Sequence, residues 1–170
     1  SSTPFRSQER LVTGIDMPQQ PVDVLRQQLE AKVAQLGGRT KLVVFGCDKG
    51  ADVTPLSSAD TATLSLICTG MLPPSFIEYA LCSGVDGIVV TGCRDGGCDF
   101  RLGMEWTRER LARRREPHLR NVVPLDRLQL VVASRSDGRQ LAAAVSAFRT
   151  RLEKDTSATT RPPAYSRRRT

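Results

Sequence analysis

One histidine, one tryptophan and two tyrosines in 170 residues leave little material for several common chemistries. His118 follows Pro117 in a basic stretch far along the chain from the cysteines, so a Cys/His nucleophile has little to stand on. The scarcity of aromatic rings removes the stacking platform that single-stranded nucleic acid requires. The net charge of +7 therefore points to an acidic protein partner and not to nucleic acid. No apolar run approaches the roughly 20 residues that span a bilayer, which argues against direct membrane insertion. A positively charged n-region followed by an apolar h-region is also missing, so the sequence has no readable export signal. The expected setting is cytoplasmic and reducing, with membrane association only through a parent chain or complex. The G-x-G-x-x-G spacing of a dinucleotide fingerprint is absent as well.

What is present reads as one α/β domain with tails. Residues 1–20 lack periodicity and form an extended lead-in, residues 21–154 hold a single domain, and residues 155–170 have the Thr/Ser/Pro/Arg composition of a disordered basic tail. Val22, Leu25, Leu29, Val33 and Leu36 recur at spacings of three and four, predicting a helix stopped by Gly37 and Gly38. Three short β-branched runs follow, over residues 41–47, 62–68 and 87–93, and each ends in a cysteine. Between the second and third, a helix is predicted from Ser75 to Leu81, ended by Gly84. A charged helix is expected from Glu105 to Arg115, a fourth strand from Leu128 to Ala133, and a last helix from Asp137 to about Lys154, capped by Ser136 or Asp137. This alternation predicts a four-stranded, mainly parallel sheet with flanking helices, layered as in Rossmann- or flavodoxin-like folds. Sites in such sheets form beyond the carboxyl ends of the strands.

Those ends carry Cys47, Cys68 and Cys93, and the glycine-rich turn after Cys93 brings in Cys98. With neighbouring strands about 4.8 Å apart, the four thiols are placed to share one pocket. In a reducing compartment a metal or redox role is the first reading of such a set. Gly46, Gly70, Gly92, Gly96 and Gly97 allow backbone amides close to sulfur, where their hydrogen bonds would stabilise negative charge. Cys82 lies within a helix, away from the strand ends, and is expected to be a bystander. Asp48, Asp52, Asp95 and Asp99 flank the cysteine loops and read as turn formers. Four thiolates also suit tetrahedral Zn²⁺, the alternative being a structural zinc site on an interaction module. Cys93 and Cys98 could instead form a reversible disulfide pair.

The stretch from Cys68 to Asp99 carries a more specific signal. Cys68-Thr69-Gly70, the Pro74-Ser75-Phe76-Ile77 helix start, the block from Ser83 to Cys93 and Gly96-Gly97-Cys98 together resemble the delta, iron–sulfur, subunit of methyl-viologen-reducing hydrogenase. The resemblance extends over residues 41 to 153. It implies a [2Fe–2S] cluster on Cys47, Cys68, Cys93 and Cys98 and an electron relay within a larger oxidoreductase complex, with no substrate chemistry of its own. The implied partner is a redox protein: a flavoprotein, a ferredoxin, or a hydrogenase or dehydrogenase subunit. The family's first loop commonly holds several cysteines where this chain has Cys47 followed by Asp48-Lys49-Gly50, and its last loop usually has His and Pro at Arg94 and Asp95. Ser1 to Ser7 resembles the segment after the last Cys-Pro of a ferredoxin motif in longer fusions with a membrane cytochrome, so the chain is expected to be an excised or processed C-terminal domain. Arg108, Arg110, Arg113, Arg114 and Arg115 are the expected docking surface.

Overall fold

The computed structural model describes residues 17–94, 97–98 and 100–158. The elements run in the order α1 (Val22–Ala34), β1 (Leu42–Cys47), β2 (Thr61–Leu66), α2 (Pro74–Cys82), β3 (Gly87–Gly92), α3 (Gly103–Leu111), β4 (Leu128–Val132) and α4 (Gly138–Ala158). The four strands form one sheet in the order β2-β1-β3-β4, and every pairing is parallel. β1 and β3 are the central strands, which is why their residues are apolar on both faces and buried throughout.

Alternation along the strands divides the core in two. Val43, Phe45, Leu64, Leu66, Ile88 and Val90 face α1 and α2, meeting Leu25 and Leu29 of the first and Ile77 and Leu81 of the second. Leu42, Val44 and Val89 face the other way, against Leu141, Val145, Phe148 and Leu152 of α4. This is a three-layer sandwich built on the period of two that strands impose. α4 approaches the sheet most closely at Gly87, where a Cβ would stand 2.5 Å from Leu152 Cδ1 and 2.7 Å from Phe148 Cε1.

Several element boundaries depart from the sequence expectation, which assigned no element to the connection between the first two strands. The connection from β1 to β2 carries no α-helix, only a 3₁₀ turn at Thr54–Leu56, because Asp52 accepts a 2.9 Å hydrogen bond from the Thr54 N–H and Pro55 favours a short turn. α3 starts at Gly103, two residues early, and stops at Leu111, short of Arg115, since Arg113 adopts a left-handed φ of 62°. The start of α4 is preceded by a capping box of Ser134 and Asp137 around a 3₁₀ turn, so Asp137 acts one turn before the helix and Ser136 is not the cap. α4 also continues to Ala158, into the stretch expected to be tail. Residues 1–16 of the lead-in, the tail from 159, and with it Arg167, Arg168 and Arg169, lie outside the described residues. No helix among the described residues is long and apolar enough to cross a membrane.

Candidate metal centre

The sheet order places its topological switch between β1 and β3. One connection leaves β1 toward β2 and the next returns to the opposite side of β1, so a crevice opens at the carboxyl ends of the two central strands. Cys47 is the last residue of β1 and Cys93 directly follows β3. Cys68 lies two residues beyond β2 and caps the 3₁₀ turn Thr69–Met71, its Sγ accepting a hydrogen bond from the Gly70 N–H at 3.3 Å. Cys98 reaches the same place from the turn after β3, where the Gly97 N–H closes onto the Arg94 carbonyl at 2.9 Å. Arg94 is anchored by an ion pair with Asp137 at 2.9 Å, which ties the cysteine turn to the start of α4.

The four thiols form a ring of near neighbours that act on one another's charge. Cys93 interacts with Cys47 and Cys98, and Cys68 with Cys98 and Cys47. Cys47, Cys68 and Cys93 are buried and Cys98 is half-buried; all four are thiols without a disulfide. Among the described residues no three Cys, His, Asp or Glu are gathered as the ligands of one ion would be. The backbone supplies donors on several sides. The Lys49 N–H points at Cys47 Sγ at 3.4 Å, Gly70 serves Cys68, and the N–H groups of Phe100 and Gly103 serve Cys98. Cys82, at the end of α2, is half-buried and takes no part in these thiol contacts.

Of the glycines expected to bring amides to sulfur, Gly70 does so. Gly46 packs against Val53, and Gly92 against Met104 and Thr69. Gly96 lies outside the described residues, as do Asp95 and Asp99. Gly103 was not legible as a site residue: a Cβ there would stand 2.3 Å from Cys68 Sγ and 3.2 Å from Cys98 Sγ. The first residue of α3 is thus the wall of the thiol pocket. Asp52 behaves as a turn residue, accepting from the Thr54 N–H, whereas Asp48 accepts from the Ser65 hydroxyl on the neighbouring strand β2. His118 is exposed and stands 3.1 Å from Glu116.

The five arginines of the α3 region do not share one environment. The buried face of α3 consists of Gly103, Met104, Thr107 and Arg110, a spacing of three and four that turns Arg110 inward. Its guanidinium bonds the Gly70 carbonyl, so Arg110 leaves the docking group. Arg113 is committed to the carbonyls of Arg120 and Val123. Arg114 is exposed; Arg108 and Arg115 are half-buried, with Arg115 paired to Glu109 and lying 4.9 Å over the Trp106 ring. Two openings flank the thiols. An apolar cavity of about 270 Å³ lies on the Cys68 side, lined by Met17, Met71, Phe100 and Trp106 among others, and a polar one of about 520 Å³ lies beside Cys47, Asp48 and Arg135.

Burial is the dominant influence on two thiols, pushing Cys68 up to about 11 and Cys93 up to about 12 from an ordinary 9.0. Burial also acts on Cys98, but the Phe100 and Gly103 amides and the neighbouring thiols outweigh it, and its pKa falls. In metal-free protein at pH 8, alkylation followed by peptide mass spectrometry is expected to modify Cys98 before Cys68 and Cys93. The unfolded chain ionises these thiols near 9.0, so the stability linked to the two buried ones is complete below that pH. It is lost as pH rises through about 11 to 12. A melting profile flat across pH 9 to 12, or Cys68 reacting first, would contradict this picture.

The structure is thus a parallel α/β domain with four cysteines gathered at the carboxyl edge of its sheet. The chain belongs to the FlpD family, described as the methyl-viologen-reducing hydrogenase delta subunit, whose sequence model matches residues 42–154. It is 44% identical over 36 residues to the iron-sulfur subunit of the F420-non-reducing hydrogenase of Archaeoglobus profundus, covering 21% of this chain and 26% of that protein. It is 37% identical over 46 residues to the iron-sulfur subunit of the F420-non-reducing hydrogenase vhc of Methanococcus voltae, covering 26% of this chain and 32% of that one. The matched segments thus span about a quarter to a third of these curated relatives.

Proposed function

We propose that this chain is a one-electron relay holding a single [2Fe–2S] cluster on Cys47, Cys68, Cys93 and Cys98. The ring of four thiols at the β1/β3 switch carries the reading, and the residues fit the group. Four cysteines gathered at one rim of the sheet suit a two-iron centre held by four thiolates. Gly103 keeps open a space that any side chain would fill. The cluster would supply the redox chemistry; the protein supplies thiolates, a largely buried setting and amide donors that favour added negative charge. The iron–sulfur names of the relatives support the same reading.

Iron, sulfide and zinc analysis with a visible spectrum, on protein purified without oxygen, tests it. Two irons and two sulfides per chain are the expected outcome. One zinc and no visible absorbance would replace the relay with the structural zinc module.

The electron partner is a hydrogenase or dehydrogenase subunit, a ferredoxin or a flavoprotein. It docks on the Cys68 side, where Phe100 and Leu102 are 46% and 45% exposed beside the apolar cavity. Arg108, in the last turn of α3, and Arg114 and Arg115, just beyond it, supply the charge. Changing these three to Gln is expected to slow reduction by an acidic partner about ten-fold at low salt and to flatten its salt dependence. Stopped-flow rates unchanged at low salt would remove that docking face.

A further inference from the structure

Arg110 and Asp137 are the only charged side chains buried among the described residues. Asp137 has Arg94 and Ser134 as partners. Arg110, 7% exposed, has no carboxylate partner among the described residues, and its Nε is buried without a hydrogen bond. Its guanidinium donates through Nη1 to the Gly70 carbonyl, and the N–H of that same glycine donates to Cys68 Sγ. A full positive charge therefore sits one residue behind the thiol pocket, close enough to Cys68 to interact with it electrostatically. An isolated buried cation is costly to a fold unless an anion offsets it. With neutral thiols the described residues offer no such anion, whereas a thiolate-ligated cluster would place one beside Cys68.

We propose that Arg110 is the fixed countercharge of the metal centre, a positioning residue that holds the reduction potential up by stabilising the added electron. This rests on the iron–sulfur reading above. One electron arriving from the donor makes the site one charge more negative, with no bond formed or broken, and leaves to the acceptor. A buried cation at constant distance favours the more negative state. The Gly70 peptide, polarised by Arg110 at its carbonyl, donates more strongly to Cys68. The exposed arginines act differently, since solvent and salt screen them.

The test compares wild-type protein with Arg110→Lys, Arg110→Gln and Arg114→Gln, all purified without oxygen. Iron content is measured first and the midpoint potential is then titrated at low and high salt. Arg110→Gln is expected to shift the potential to more negative values at both salt levels, with Arg110→Lys remaining near wild type. Arg114→Gln should give a smaller shift that vanishes at high salt. The proposal is overturned if fully loaded Arg110→Gln keeps the wild-type potential, or if Arg110→Lys shifts as far as Arg110→Gln. Failure of Arg110→Gln to hold iron while Arg110→Lys holds it supports the countercharge at the level of binding; failure of both leaves a packing role and overturns it. Wild-type protein without iron would defeat the iron–sulfur reading itself, a result distinct from an unmoved potential in loaded protein.

Discussion

Gly103→Ala is expected to abolish iron loading while leaving the sheet folded. Helix propensity alone predicts the reverse, because alanine is favoured over glycine in a helix by up to about 1 kcal/mol. Sterics decides the outcome at this position. The new methyl would lie 2.3 Å from Cys68 Sγ and 3.2 Å from Cys98 Sγ, inside van der Waals contact with the two sulfurs it separates. In metal-free protein the Cys68 side chain can rotate away, so melting should change by no more than about 1 kcal/mol. With metal bound that escape is closed, since the same sulfur is a ligand. The Gly103 amide, a donor to Cys98, is displaced as well. Circular dichroism like wild type with iron and visible absorbance near zero is the expected pair of results. Wild-type iron in Gly103→Ala would show that the pocket wall yields.

Serine at Cys47, Cys68, Cys93 or Cys98 should reduce iron content further than the roughly 10- to 100-fold affinity loss that follows removal of a merely supporting residue. The hydroxyl is not ionised near neutral pH and is a poor match for iron, so the lost ligand is not replaced. The four variants should be comparably severe, because each thiol of the ring has two thiol neighbours. Cys82→Ser should load normally, its position at the end of α2 being outside the ring. Three of the four cysteines are buried, at 4%, 7% and 3% exposure for Cys47, Cys68 and Cys93, so alanine variants are needed alongside to separate polar burial from lost ligation. Equal iron in wild type and Cys93→Ser would rule out the four-thiol site.

The strands were readable because each is a short β-branched run, and the two central ones are apolar on both faces. The helices α1 and α4 were readable from stripes at spacings of three and four. What the sequence concealed lies on α3. Its inward face is Gly, Met, Thr and Arg, which carries no apolar periodicity. Gly103 lay before the expected start of the helix at Glu105, and Arg110 resembled surface charge, the common fate of arginine. Both are inward because α3 packs on the turn that holds Cys68, a contact between residues more than thirty apart in sequence. The cysteines themselves were legible from position alone, but their pair contacts required the strand order β2-β1-β3-β4.

That strand order also determines how the centre ties the chain together. The four sulfurs come from the ends of three neighbouring strands and one turn, while β4 and α4 contribute none. A bound cluster would act as a staple, closing the loops between residues 47 and 98 and removing from the unfolded ensemble the freedom those loops otherwise have. The segment from β4 onward is fastened to it through Arg94 and Asp137 and by packing. Metal release would therefore loosen one edge of the molecule before the other: the cysteine rim loses its cross-link while the α4 face keeps its core. Loss of a bound cluster would then be a local opening and not a global unfolding.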